Sequence, residues 1–154
     1  MCLALLMAIG CRSNDDPPPL GAGIDGVILG ADQSQEFGQG GRGFRPTELD
    51  VRRAETALPA FLAAPADAET KKKRPYEEDQ RKKILAKLST YKRQWAGIDR
   101  GKTHVLYMNF LCHYHDDSWR KGAVTVSDGG DCYFHVEYDL GTGQFASLRV
   151  NGEA

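Results

Sequence analysis

The chain predicts an α+β fold in which one long helix packs on an antiparallel β-meander, preceded by a shorter helix and an extended tether. Three observations predict it. After Pro75 an amphipathic stretch places acidic residues ahead of basic ones at helical spacing. Beyond Leu106 the helical period gives way to strict alternation, in blocks divided by the turn signals "DGGD" and "LGTG". No strand-helix-strand rhythm runs through the sequence, which argues against a nucleotide-binding α/β arrangement.

A length of 154 residues suits one ordinary domain and is enough to bury a core without metal staples. The hydrophobic fraction of 41% and charged fraction of 27% are those of a globular protein. A formal net charge of -1 gives no general pull toward polyanions, so no nucleic-acid partner is expected. All 7 Pro and 9 of the 17 Gly fall in the first half, which points to linker and loop there.

Residues 1–11, "MCLALLMAIGC", form an uncharged apolar run. Ten such residues span about 15 Å as a helix, half the thickness of a bilayer core, so the run is an export signal rather than a transmembrane anchor. Small residues before a cysteine resemble the lipobox of bacterial lipoproteins, which implies lipidation at Cys11. Ala8 stands where lipoboxes usually have Leu, and no Lys or Arg precedes Arg12. A start codon placed too far downstream accounts for the missing basic region. Residues 12–22 then read as a tether, stiffened by Pro17, Pro18 and Pro19 into polyproline II.

Residues 23–154 are assigned to a single α+β domain. Ile24 to Leu29 read as an edge strand and Gln33 to Phe44 as a Gly-rich loop; "GQGGRG" there lacks the Lys and preceding strand of a phosphate cradle. Thr47 with Asp50 makes a capping box for a first helix whose apolar face is Val51, Ala54, Leu58, Phe61 and Leu62. Pro59 is expected to kink or end it. Ala64 to Arg74 read as a polar connector whose four consecutive cations face solvent.

The long helix is expected to start at Pro75, with Glu77, Glu78 and Asp79 complementing its dipole. Glu77 with Arg81, Glu78 with Lys82 and Asp79 with Lys83 are stabilising pairs, each worth about 0.2 to 0.5 kcal/mol. Ile84, Leu85, Leu88, Tyr91 and Trp95 make its buried stripe and Gly97 its C-terminal cap.

Four strands follow. The first has Leu106, Met108, Phe110, Cys112 and Tyr114 on one face and Tyr107, Asn109, Leu111 and His113 on the other. "GAVTVS" is the second, with Val124 and Val126 inward. "CYFHVEYD" turns Cys132, Phe134, Val136 and Tyr138 inward and Tyr133, His135, Glu137 and Asp139 outward. "QFASLRV" closes the sheet with Ala146, Leu148 and Val150 inward. A long helix cradled by such a sheet resembles cystatin-like or NTF2-like layouts, a likeness that carries no function. The blocks "FRPTELDVRRAETAL", "YKRQWAGI", "VTVSDGGDCYFHVEYDLGTGQF" and "LRVNGEA" resemble a group of small, uncharacterised bacterial exported proteins, many with lipoprotein-type leaders. The resemblance implies export and brings no catalytic residues with it.

The densest chemistry lies in "CHYHDDSW", Cys112 to Trp119. His113, His115, Asp116 and His135 are ligand types suited to zinc, but their spacing matches no specific signature, and the strand between His113 and His135 would hold them apart. A cysteine nucleophile at Cys112 lacks a base, because His113 and His135 point to the opposite face. Cys112 and Cys132 both face inward, which favours a disulfide in an oxidising compartment. Asp128, Asp131 and Asp139 sit where hairpin turns want Asp, and no EF-hand spacing appears.

The outward aromatic sheet surface of Tyr107, Tyr133 and Phe145, rimmed by His113, His135 and Arg149, is the preferred binding face. The expectation is therefore a non-enzymatic, lipid-anchored protein of the bacterial cell envelope, facing the periplasm, that binds a protein or small ligand through this face without a cofactor. One alternative is a metal-binding or hydrolytic envelope protein using His113, His115, Asp116 and His135. The other is a cytosolic interaction domain with reduced cysteines.

Overall fold

A computed structural model of the chain describes residues 21, 23–38 and 40–152. The leader, Cys11 and all of the tether except Gly21 lie outside the described residues.

The fold is α+β. Its elements in order are β1 (Gly26–Ile28), α1 (Ala31–Gln35), β2 (Arg42–Phe44), α2 (Glu48–Ala63), α3 (Ala68–Lys73), α4 (Glu77–Ala86), β3 (Lys92–Asp99), β4 (His104–Leu111), β5 (Tyr133–Asp139) and β6 (Gln144–Val150). β3 to β6 form an antiparallel meander of neighbouring strands. The outer edge of β3 is shared: β1 runs parallel to its first half, Gly26 opposite Arg93, and β2 antiparallel to its second, Phe44 opposite Gly97.

α2 starts where its capping box places it. Asp50 N–H donates to Thr47 Oγ1 at 3.2 Å, and Thr47 N–H donates back to Asp50 Oδ2 at 2.9 Å. Val51, Ala54, Leu58 and Leu62 form its buried stripe, as the sequence predicts. Contrary to expectation, the helix runs through Pro59 to Ala63. Pro59 lies on the exposed side, where its ring meets solvent and the packed opposite face holds the helix together.

The region expected to be the long helix divides in two. α4 ends at Ala86, and after a short 3₁₀ turn Tyr91 to Asp99 leads into and forms the central strand β3. Tyr91 and Trp95 are buried in the core, as predicted, but Trp95 from β3 and Tyr91 from the extended residue that leads into it. A spacing of four satisfies the helical period and the strand period alike, and the intervening Arg93 hid the alternation. Arg93 itself is buried, 2% exposed, beside Glu55 of α2. α4 is instead clasped to α2 by a charged group: Arg81 pairs with Glu77 at 2.7 Å, stacks over the Phe61 ring and donates to the carbonyls of Phe61 and Ala64. Those carbonyls belong to the last turn of α2, whose C-terminal acceptors need partners.

Three smaller expectations are corrected. The Gly-rich segment contains α1 and β2; a Cβ at Gly43 would collide with the Ala31 carbonyl, so only glycine lets α1 sit directly on β2. The connector contains α3, capped by Asp67 accepting from Thr70 N–H at 2.8 Å. "GAVTVS" is not a strand. Gln94 Oε1 accepts the Val124 N–H and Asn109 Nδ2 donates to the Val124 carbonyl, so two buried amides replace ladder partners and hold the segment across the sheet face. β4 therefore pairs directly with β5, and the hairpin expected at "DGGD" is absent.

The main core lies between the helices and the sheet: Val51, Leu58 and Ile84 meet Trp95, Leu106, Met108, Phe110, Phe134, Val136 and Leu148. A smaller cluster of Leu29, Phe37, Ala96 and Ile98 covers the β3 side of the other face.

Candidate functional site

The segment "CHYHDDSW" is chiefly structural. β4 stops at Leu111 and the chain bends at Cys112. Cys112 and Cys132 are joined by a disulfide, with Cα atoms 5.0 Å apart. Asp116 caps the 3₁₀ turn Asp117–Arg120, and its hydrogen bonds from the Ser118 hydroxyl and N–H hold its carboxyl below the usual range. Trp119 is fully buried between Lys92 and Arg120, whose charges lie 5.4 and 4.2 Å from the ring. His115 is exposed.

The four donors of the metal alternative are not brought together. His135 lies on the open sheet face opposite Asn109, whereas His113 and His115 leave the sheet beyond Leu111. Among the described residues, the group whose ligand atoms lie within reach of one another is Cys112, His113 and Cys132, all within 4.8 Å.

The predicted binding face is partly assembled. Tyr107 of β4 and His135 of β5 stack with ring centroids 4.7 Å apart. Phe37, delivered by the turn after α1, stacks on the other side of Tyr107 at 4.6 Å. Gln35 fixes that turn by accepting from Gly43 N–H at 2.8 Å and donating to the Gly41 carbonyl at 2.7 Å. Arg149 lies opposite His135 in β6. Together with Arg100, Glu137 and Ala146, these residues line a cleft of about 640 Å³. Tyr133 is on the same face, donating its hydroxyl to the His113 carbonyl at 3.1 Å, beside a smaller hollow lined by Tyr107, Asn109 and His135.

Phe145 does not belong to this face. A β-bulge at Glu137 and Tyr138 sets Ser147 opposite Glu137 but Phe145 opposite Tyr138, leaving Ala146 unpaired. Phe145 therefore turns to the helix side, where it stacks on Phe61 at 4.6 Å, while Ala146, expected inward, lines the cleft.

The electrostatics of the cleft are asymmetric. Arg100 grips Glu137 with two hydrogen bonds, at 2.6 and 2.9 Å, which hold the Glu137 carboxyl below its usual range. Burial lowers the His135 pKa, the Arg149 charge adds to the effect and Glu137 opposes it. Burial also pushes the Tyr107 phenol far above its ordinary value. At neutral pH the cleft presents a neutral imidazole and phenol, one neutralised ion pair and the cationic, exposed Arg149. Glu137 was legible from strand alternation. Phe37 and Arg100, from a turn and a hairpin, carry no local signal that would bring them here.

A second hollow, about 430 Å³, lies at the β3–β4 turn between Phe44, Asp99, His104 and Asp139. Its two carboxylates are committed to turn N–H groups, Asp99 to Gly101 and Asp139 to Gly141 and Thr142, so they shape loops rather than face a ligand. Compared with protein-family models, with curated proteins and with solved structures, the chain gives no match in any of the three.

Proposed function

We propose that this chain is a non-enzymatic binding module of the bacterial cell envelope, lipid-anchored through Cys11, whose open sheet face takes a small, planar, anionic ligand. The observation that carries the binding reading is the cleft floored by the Phe37, Tyr107 and His135 rings, with Arg149 at its edge. Flat aromatic surfaces accept planar groups, and an exposed guanidinium favours a carboxylate or phosphate on the same ligand. The envelope address rests on the leader and on the disulfide, which suits an oxidising compartment.

Naphthoate is the probe. Titrated into the isotope-labelled oxidised chain, it is expected to perturb the NMR amide signals of Tyr107, His135 and Arg149, and Arg149→Ala should weaken binding about tenfold. Shifts confined to other residues, or none at all, would overturn the assignment. For the address, intact mass of the protein from membranes of a bacterial host should show a diacylglyceryl increment on Cys11. An unprocessed chain in the soluble fraction would reject the anchor and leave the cleft to be judged by its own titration.

A further inference from the structure

The bend that ends β4 has a chemical consequence. In a continued strand His113 would point away from Cys112, yet here its ring nitrogen and both sulfurs lie within 4.8 Å of one another. Tetrahedral zinc, with Zn–S of about 2.3 Å and Zn–N of about 2.0 Å, needs its ligand atoms roughly 3.5 to 3.8 Å apart. The nitrogen lies within 4.8 Å of both sulfurs, so a small movement of its exposed side chain reaches that spacing, and the sulfurs reach it once the bond between them opens. We infer that reduction of the Cys112–Cys132 disulfide creates a binding site for a thiophilic divalent cation of the zinc type, with Cys112, Cys132 and His113 as ligands.

The backbone around the site is held by contacts other than the disulfide. Cys112 N–H donates to the Cys132 carbonyl at 3.0 Å, and Cys132 N–H to the Gly129 carbonyl at 3.2 Å. Gly129, at φ 95°, makes the turn that allows it. The Tyr91 hydroxyl holds the Asp131 carbonyl at 2.6 Å, the Tyr133 hydroxyl holds the His113 carbonyl at 3.1 Å, and Lys92 holds the Tyr114 carbonyl at 3.0 Å. Opening the bond therefore frees two sulfurs without freeing the chain that carries them. The nearby Asp131 carboxylate is committed to Lys87 at 2.8 Å, which leaves the fourth coordination position to water. His113 is exposed and both cysteines are half-buried, so a cation has access from solvent.

The chemistry balances with an external dithiol as reductant. The dithiol gives up two hydrogens and becomes a disulfide, the Cys112–Cys132 bond breaks, and each sulfur ends as a thiol. Both thiols release their protons to solvent when the cation binds. The site lies outside the aromatic cleft and does not rest on its assignment, which is tested on the oxidised chain.

The test is cobalt titration of the full chain carrying Cys2→Ser and Cys11→Ser, reduced and freed of reductant under anaerobic conditions. One equivalent of Co²⁺ should give thiolate-to-cobalt charge transfer and the intense visible bands of four-coordinate cobalt, and Zn²⁺ should displace it. The oxidised protein should show neither band. His113→Ala, a change at an exposed position, should weaken cobalt binding at least about tenfold, since even partners outside the ligand shell are worth that much. His115→Ala should bind as the parent does. Absence of the charge-transfer band in the reduced protein would overturn the inference. So would equal affinity in His113→Ala, including affinity shown by a reduced chain that has lost its native circular dichroism.

Discussion

Glu55→Ala is expected to be among the most damaging single substitutions in α2. Glu55 is 9% exposed and Arg93 2%, so both charges sit in the core. Glu55 Oε1 accepts the Trp95 indole N–H at 2.8 Å and lies 3.5 Å from Arg93 Nε. Arg93 Nη2 donates to the Leu88 carbonyl at 2.8 Å, while its Nε and Nη1 find no hydrogen-bond partner among the described residues, so the Glu55 charge is what compensates the guanidinium. Removing the carboxylate leaves a guanidinium buried without its counter-charge and an indole N–H without an acceptor. Breaking a buried pair in this way costs about 3 to 5 kcal/mol. With a urea dependence of about 1 to 3 kcal/mol per molar, the unfolding midpoint should fall by at least about 1 M. Urea unfolding followed by tryptophan fluorescence and circular dichroism measures it. Glu55→Met together with Arg93→Met should recover most of the loss, because an apolar pair has no charge to desolvate. A cost below about 1 kcal/mol for Glu55→Ala, or two single losses that simply add in the double variant, would refute the coupling.

The pair also predicts a pH dependence. Burial raises the Glu55 pKa above its ordinary value, against the opposing pull of Arg93 and the indole. The native state therefore takes up this proton at higher pH than the unfolded chain, and its contribution to stability falls as pH rises through the raised value. Relative to Glu55→Gln, the wild type should gain stability as pH is lowered toward the ordinary carboxylate range. A growing loss would reverse the sign and refute the burial argument.

Two further substitutions test other parts of the structure. Pro59→Ala restores the amide that α2 lacks toward the Glu55 carbonyl and should raise stability by about 1 to 3 kcal/mol; destabilisation in the same urea assay would show that the Pro59 ring packs against something. His135 is neutral in the folded state because burial lowers its pKa, so the contribution of that depression is present above the unfolded value of about 6.5 and is lost as pH falls through the folded one. His135→Gln should flatten the acid side of the stability profile, and an unchanged slope would place His135 in contact with solvent.

Much of the helix-side core was legible. The Thr47 and Asp50 capping box marked the start of α2, and one apolar stripe identified its buried face. Alternation in "CYFHVEYD" sorted β5 into its two faces correctly, and alternation in the strands on either side put Tyr107 and Arg149 with His135 on the open side. The pairing of Cys112 with Cys132 was anticipated from a shared face, although the bond itself required β4 and β5 to be neighbours. What failed did so where one pattern served two periods or where pairing was replaced. Tyr91 and Trp95 fit helix and strand equally, and only the empty place beside β4 decides for strand. Val124 and Val126 alternate as a strand would, but Gln94 and Asn109 take the ladder's bonds.

The sequence by itself determined the α+β class, the start and buried face of α2 and the inward and outward sets of β5, because capping chemistry and hydrophobic period act between residues close in the chain. Only the tertiary structure decided that Phe37 and Arg100 reach the cleft, that the bulge removes Phe145 from it, and that the bend at Cys112 brings His113 beside two sulfurs. Each of those outcomes depends on where a strand stops or which neighbour fills a hydrogen bond, and such competition is settled by packing across the sheet rather than by local preference.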